Sequence, residues 1–361
     1  MKSACEIAVI GGGLSGLAAA SVLNETKKDV LLLEAAPRLG GRIHSVSHPE
    51  TGKPMADLGP TWVWPPYQPS ISKWLEILGL ELFPQYETGP AVLDLQVGVS
   101  PRHQPLPGQQ GMARIANGPR ALIDALSTQL MPEQVKLHHK LLSVSRKSGQ
   151  FVLKLEDPDD VEITATSVIV CAPLRLMAQD VDWNGLLDAQ TLAIMRAAPT
   201  WMVAQTKVSI LYGRPFWREQ GLSGRIASHL GPLSEVHDHC SSDGEFSALF
   251  GFVGWPDRYS NQDQLRAAIE EQLVRCFGAQ ASNFDRMEIQ DWSADPLICS
   301  NLDRETPAQH PQVLPSVIKN GFHQNQLQFG VAETANDHPG LIDGALEAGE
   351  RAARRLLSNS V

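Results

Sequence analysis

Three glycines, Gly11, Gly13 and Gly16, stand in G-x-G-x-x-G spacing, and an acid, Glu34, follows about twenty residues on. Together these residue types suit the grip on a dinucleotide. Gly11 permits a tight turn, Gly13 lets backbone approach a pyrophosphate, and Gly16 lets a following helix press against the preceding strand. Glu34 is placed to accept hydrogen bonds from ribose hydroxyls, and its charge repels a 2′-phosphate, which argues against NADP. The elements that must position these groups are legible around them. Ile7 to Ile10 is an apolar run short enough for a strand buried on both faces. Leu14, Leu17, Ala18 and Val22 give the next segment a helical apolar stripe. That helix, opening with Leu14 and Ser15, aims unpaired N–H groups and the positive end of its dipole at the phosphates. A second strand, Val30 to Leu33, delivers Glu34 and Ala35.

Two arginines then flank a glycine pair in Arg38-Leu39-Gly40-Gly41-Arg42. Guanidinium forks suit phosphate oxygens, and the glycines admit close passage of a ligand. The run from Glu34 to Arg42, E-A-x-x-R-x-G-G-R, resembles a recurrent signature of the flavin-containing amine oxidase family. Asp57-Leu58-Gly59-Pro60-Thr61-Trp62 is similar to that family's loop lining the flavin. The resemblance implies FAD as cofactor, with backbone near Leu141 at the adenine.

The C-terminal segment adds a second contact. A strand is expected over Gln326 to Val331, then a polar turn and a helix from about Leu341 with apolar Ala345, Ala348, Ala352 and Leu356 on one face. Asp343 early and Arg351, Arg354 and Arg355 late match the helix dipole, and Glu347/Arg351 and Glu350/Arg354 are i,i+4 pairs. The stretch GVAETANDHPGLIDGALEAGERAA resembles the family's closing flavin motif. That resemblance implies Glu333 near the FAD phosphate or ribityl region and the backbone at Leu341 and Ile342 near flavin C2=O.

In the middle of the chain, PTWMVAQTKVSILYGRPFWREQGLSG and ALFGFVGWPDRY resemble bacterial amine oxidases. Lys207 lies eight positions before Pro215 of Pro215-Phe216-Trp217, the spacing at which the family places a lysine that holds a water at flavin N5. The resemblance makes Lys207 the catalytic candidate and sets Trp62 and Trp64 beside the substrate. It places Leu302 and Leu341 where monoamine oxidases carry two tyrosines, so both halves of that aromatic cage are missing. Asn301 falls where the mitochondrial enzymes tether FAD through cysteine, which implies noncovalent FAD. Trp201, Trp217, Trp255 and Trp292 also fall in family-like segments and are expected to pack mainly in the core. His237-Asp238-His239-Cys240 superficially suggests a metal site, but adjacent ligands on a loop lack the usual spacing, so no metal is expected.

Composition agrees. A chain of 361 residues with 43% hydrophobic content can bury a large core. The net charge of −10 disfavours nucleic acid or an anionic membrane as main partner. Five scattered cysteines suggest reduced thiols, the first strand leaves little room for a signal peptide, and no apolar run approaches the roughly twenty residues of a membrane span. A soluble cytoplasmic protein is expected, with an amine or apolar small molecule and oxygen as partners. The expected fold is α/β: a Rossmann-like FAD-binding domain (1–64, 112–174 and 291–361) interleaved with an α+β substrate domain (65–111 and 175–290). Helices are expected near Ile71 to Leu78, Arg120 to Leu130 and Gln264 to Phe277. Strands are expected over Val135 to Val144, Phe151 to Leu155, Val161 to Thr166, Ser167 to Cys171 and Thr206 to Tyr212. The expected reaction is oxidation of an amine to an imine with oxygen as acceptor. The alternatives are a desaturase or renalase-like oxidase of a non-amine substrate, and a catalytically silent FAD-binding partner protein.

Overall fold

The computed structural model describes residues 4–156, 162–254, 256 and 259–358. Two seven-stranded sheets organise them. In the first, Ala4–Ile10 lies parallel between Val30–Leu33 and Glu162–Val170, with Ile7 opposite Val30 on one side and Ser167 on the other. Val135–Lys136 extends the sheet beyond Val30–Leu33. On the other side, the first half of Glu162–Val170 pairs antiparallel with Gln150–Glu156, and its second half pairs parallel with Leu327–Phe329. Strands covered on both faces must be apolar throughout, and Val30–Leu33 reads VLLL with every residue buried. Alternation divides the cores: Ile7 and Val9 join one cluster, Ala8 and Ile10 the other.

The first face is covered by the helices Leu14–Asn24 and Ile342–Leu357. These cross so closely that a Cβ on Gly349 would lie 2.1 Å from the Ser15 carbonyl oxygen, which only glycine allows. The two ends of the chain are thereby packed over the same parallel strands. Glu347 and Glu350 pair with Arg351 and Arg354 as the spacing predicts. Asp343 does more than face the dipole. Buried, it accepts from the Ile71 N–H at 2.8 Å and contacts His338 Nδ1 at 2.9 Å, so one carboxylate serves the first turns of two helices, Pro69–Leu78 and its own.

The second sheet runs in the order Arg286–Asp291, Thr206–Tyr212, Ser247–Val253, Leu233–Asp238, Ile226–Ser228, Ala91–Asp94, Arg102–Gln104. Helix Gln262–Phe277 packs on the face carrying Val208 and Ile210. The opposite face carries Lys207 and Ser209 and looks toward the first sheet's loops. Three successive carbonyls of one such loop are fastened there: Asp57 O accepts from Ser209 Oγ at 2.5 Å, Leu58 O from Trp292 Nε1 at 2.8 Å, and Gly59 O from Lys207 Nζ at 2.8 Å.

Element boundaries depart from expectation where tertiary contacts intervene. The helix from Arg120 ends at Ser127, because Leu130 is buried through a turn closed by its N–H to Ser127 O. The segments expected on either side of residue 166 form one strand, Glu162–Val170, with Val161 outside the described residues. The late strand is only Leu327–Phe329. Among the described residues no helix is long and apolar enough to cross a membrane.

Candidate active site

One cavity of about 840 Å³ runs from the glycine-rich turn to the second sheet. At the first end the absence of side chains is structural. Gly11 has φ +102°, and a Cβ there would lie 2.9 Å from Cys171 O; a Cβ on Gly16 would lie 1.9 Å from Gly11 O. Gly13 differs, since its nearest neighbour would be Gly41 Cα at 4.0 Å, so here the missing side chain leaves room beside the cavity. Gly13 is also the N-cap of helix Leu14–Asn24 and offers no side-chain cap, which leaves first-turn N–H groups for an anion. Gly40 N–H donates to Gly12 O at 2.8 Å, joining the two glycine turns.

Glu34 is buried at the end of its strand and accepts from Gly12 N–H at 2.5 Å and Ala36 N–H at 2.7 Å. Burial pushes its pKa up, and these backbone donors oppose the rise. An ionised carboxylate retains lone pairs for further hydroxyl donors. The arginines are committed within the protein. Arg38 donates to the carbonyls of Gly41 at 2.8 Å, Ile43 at 3.0 Å and Leu39 at 3.2 Å, knotting the turn around the cavity. Arg42 forms a bidentate pair with Glu333, at 2.7 and 3.1 Å. Buried Glu333 thus stands behind the wall and ties the C-terminal segment to the N-terminal turn. Leu141 and Ala35 line the cavity, as do Lys140 and Asp180.

Toward the second sheet, Lys207 is buried and directs its ammonium at Gly59 O, 5.7 Å from the Phe252 ring centroid. Burial lowers its pKa to about 8; Asp57 opposes that shift and Arg42 reinforces it. Gly59, Pro60, Thr61, Trp62 and Trp64 line the adjoining wall. Trp62 meets the rings of His237 at 4.7 Å, Phe250 at 5.7 Å and Phe252 at 6.2 Å, and its indole N–H donates to Gln85 Oε1 at 2.8 Å. Leu341 and Ile342 also line the cavity. The Leu341 N–H donates to His338 O at 3.2 Å, so Ile342 supplies the first helical N–H there.

The cavity lining therefore brings together Gly11, Gly13, Leu14, Ser15, Glu34, Ala35, Arg38, Gly40, Gly41, Arg42, Gly59 to Trp62, Trp64, Leu141, Lys207, Leu341 and Ile342. Gly16, Leu58 and Glu333 support it from behind and do not line it. Leu302 requires a correction. It is 39% exposed on the short helix Asn301–Glu305 and stands away from the cavity. The cause is the capping box of Ser300 and Asp303: Asp303 turns inward to Arg175 at 2.6 Å and to the Thr200 N–H at 3.1 Å, which rotates Asn301 and Leu302 outward. Leu297 and Ile298 line the cavity instead.

The His237-to-Cys240 run disperses. Asp238 accepts from Trp217 and from the Arg218 fork, His239 faces Asp57, and only His237 of the four lines the cavity. Trp217 is core, Trp292 and Trp201 line the cavity, and Trp255 lies outside the described residues. The sequence reading missed Glu235, Phe250, Phe252 and Gln290, all lining. The alternation in Leu233–Asp238 and Ser247–Val253 was the available signal, since it places Glu235 with His237 and Phe250 with Phe252 on one face.

Residues 97–357 match the family described as Flavin containing amine oxidoreductase, and residues 9–78 match the NAD(P)-binding Rossmann-like domain. Flavin-containing amine oxidase B of Bos taurus is 39% identical over 468 residues, with 99% of this chain and 87% of that protein covered. The Homo sapiens protein of that name is 33% identical over 462 residues with the same coverage. Cyclohexylamine oxidase from Brevibacterium oxydans IH-35A shares the fold with a TM-score of 0.80 at 16% identity, covering 98% of this chain and 99% of that one. Wild-type putrescine oxidase bound to putrescine does so with a TM-score of 0.79 at 18% identity, covering 99% of this chain and 100% of that one. With a dinucleotide cradle and an aromatic, lysine-bearing chamber sharing one cavity, this chain belongs to the flavin-containing amine oxidoreductase family and is a flavin-dependent, amine oxidase-like oxidoreductase.

Proposed function

We propose that the chain binds FAD noncovalently and oxidises an amine to an imine, with oxygen accepting the two electrons and leaving as hydrogen peroxide, while water hydrolyses the imine to an aldehyde or ketone and ammonia or an amine. The carrying observation is the single cavity that joins the glycine cradle to Lys207 and the aromatic wall. The residues present fit the cofactor: room beside Gly13, an uncapped helix N-terminus and a buried carboxylate at Glu34 suit the pyrophosphate and ribose of a dinucleotide. In this reading Gly11, Gly13, Leu14 and Ser15 hold the pyrophosphate, Glu34 the ribose and Leu141 the adenine. The loop from Leu58 to Trp62 and the helix start at Leu341 and Ile342 border the ring system. Bound FAD supplies two-electron acceptance from the amine carbon and its passage to oxygen.

The remaining roles belong to the chain. An ammonium has three donors, and Gly59 O takes one of Lys207's, which leaves the others to hold a water at the reacting edge. Trp62, Phe250 and Phe252 exclude bulk water and orient the substrate. Noncovalent attachment is supported by the cavity lining, which carries a single thiol. The one thiol lining the cavity, Cys171, has its pKa pushed up to about 12 by burial. We assign the cofactor body to residues 1–64, 112–174 and 291–361 and the substrate body to 65–111 and 175–290.

The test is an anaerobic titration of purified protein with a broad amine panel, following the oxidised flavin band near about 450 nm, a property of the cofactor. Bleaching that oxygen reverses with peroxide release is expected. A yellow protein that no amine reduces would overturn amine oxidation, and reduction by a non-amine would redirect the assignment.

A further inference from the structure

The second sheet carries an unassigned acid in register with Lys207. Phe252 is the cross-strand partner of Lys207 on one side and of Glu235 on the other, while Gln290 partners Lys207 from the edge strand. Directly opposed residues share a face, and all four line the cavity. The row therefore reads Gln290, Lys207, Phe252, Glu235 across the chamber floor. Two strand spacings separate the backbones of Lys207 and Glu235, about 10 Å.

Glu235 is held but not neutralised by a fixed cation. His237, next along its strand on the same face, lies with Nε2 2.7 Å from Glu235 Oε1. A carboxylate only accepts, so that nitrogen donates. The histidine is buried edge-on against Trp62, which fixes the carboxylate's direction. Among the described residues the only ion-pair partner of Glu235 is this histidine, and half of its side chain stays accessible. Arg225, the guanidinium that faces it, is already paired with Glu87 at 3.2 Å and with Pro107 O at 3.1 Å.

We propose that Glu235, oriented by His237, is the receptor for a second cationic group of the substrate, so that the preferred amines are diamines or polyamines. One amine carbon reacts beside Lys207, the methylene chain lies over Phe252, and the far ammonium meets the Glu235 carboxylate. The Trp62 and Phe252 rings add attraction for that cation. This inference rests on the amine-oxidising reading but is read out separately from it.

The test uses quaternary ammonium alkanes, whose nitrogens have no lone pair to form a C=N bond and so are not oxidised, as probes of the flavin-loaded enzyme. A bis-trimethylammonium alkane and its mono-trimethylammonium analogue of equal length are titrated by calorimetry and by flavin absorbance. Binding of the dication about tenfold tighter is expected, the free-energy scale of one charge-assisted hydrogen bond. Glu235→Gln should remove that preference while leaving the monocation's affinity within about twofold, and Glu235→Asp should restore part of it. Retained flavin content and an unchanged melting temperature show that the variants fold. With substrates, Glu235→Gln should lower kcat/KM for diamines by about tenfold or more through KM, with simple alkylamines nearly unaffected. Equal binding of both probes, or equal loss of both in Glu235→Gln, overturns the subsite. If alkylamines bleach the flavin and the probes bind equally, the subsite alone falls. If no amine is oxidised yet the Glu235-dependent preference persists, amine oxidation falls and the dication subsite stands.

Discussion

The two ends of the cavity are built from different parts of the polypeptide. At the glycine-rich end the wall is built from backbone and from missing side chains: Gly11 and Gly13 backed by Gly16, the joined turn at Gly40 and Gly41, and helix N–H groups. At the other end side chains from several strands meet in rows, Lys207 and Phe252 with Gln290 and Glu235, then Ser209 and Phe250 with His237. That end tolerates little change at Gly11 and Gly16, where a Cβ would strike backbone. A row of side chains can be rewritten one residue at a time with the strands left in place. The side-chain rows are thereby free to vary while the glycine turns stay fixed.

The sharpest break between the ends is expected from glycine substitutions. Gly16→Ala places a Cβ 1.9 Å from Gly11 O and should cost more than about 4 kcal/mol, leaving little folded, flavin-bearing protein. Gly13→Ala meets nothing nearer than 4.0 Å, so the fold should survive while FAD affinity falls by about tenfold or more. Circular dichroism and the flavin-to-protein absorbance ratio separate the two outcomes; equal behaviour of the variants would refute the division of labour between packing and ligand approach.

At the substrate end the next effect is electrostatic. Lys207 in the folded chain has a pKa of about 8, below the ordinary lysine value of 10.5. Between those values the unfolded chain binds the extra proton, so stability rises with pH through that window, and the cost of the buried ammonium is fully present below pH 8. Across the full window the magnitude is about 3 kcal/mol. Lys207→Met carries no such group. Urea unfolding of both proteins at pH 8 and pH 10 should show the variant's advantage shrinking at the higher pH, with Tyr212 and the buried cysteines cancelling in the difference. An advantage independent of pH would mean that the lysine is solvated in the folded state.

The same contrast explains what sequence reasoning could reach. The glycine spacing, Glu34 and the strands around them are contiguous, so each local choice announces its neighbour. The C-terminal helix was equally legible, because its apolar stripe and both i,i+4 pairs lie within one element. What escaped depends on register. Glu235 reaches the Lys207 row only because Phe252 pairs with both, a relation set by hydrogen bonding between strands far apart in sequence. Arg38 and Arg42 line the cavity as their spacing predicts, but spacing cannot tell that Arg38 also has acceptors in the carbonyls of its own turn and Arg42 in Glu333.

Leu302 gives the smallest effect and the cleanest check on where the chamber ends. Alignment by motif set it opposite Leu341, yet the Ser300–Asp303 capping box turns Asp303 inward and leaves Leu302 39% exposed. Leu302→Ala should change stability by no more than about 0.5 kcal/mol and leave kcat/KM for any accepted amine unaltered. Ile298 packs with Val203, Trp292 and Cys299 and lines the cavity. Ile298→Val removes one buried methyl group and should cost about 1 kcal/mol with a measurable change in KM. Reversal of that order, with Leu302 governing KM and Ile298 silent, would mean that the helix Asn301–Glu305 rotates toward the substrate during turnover. The Arg175–Asp303 ion pair at 2.6 Å opposes such a rotation, because turning Leu302 inward would expose the buried carboxylate and strand its guanidinium partner.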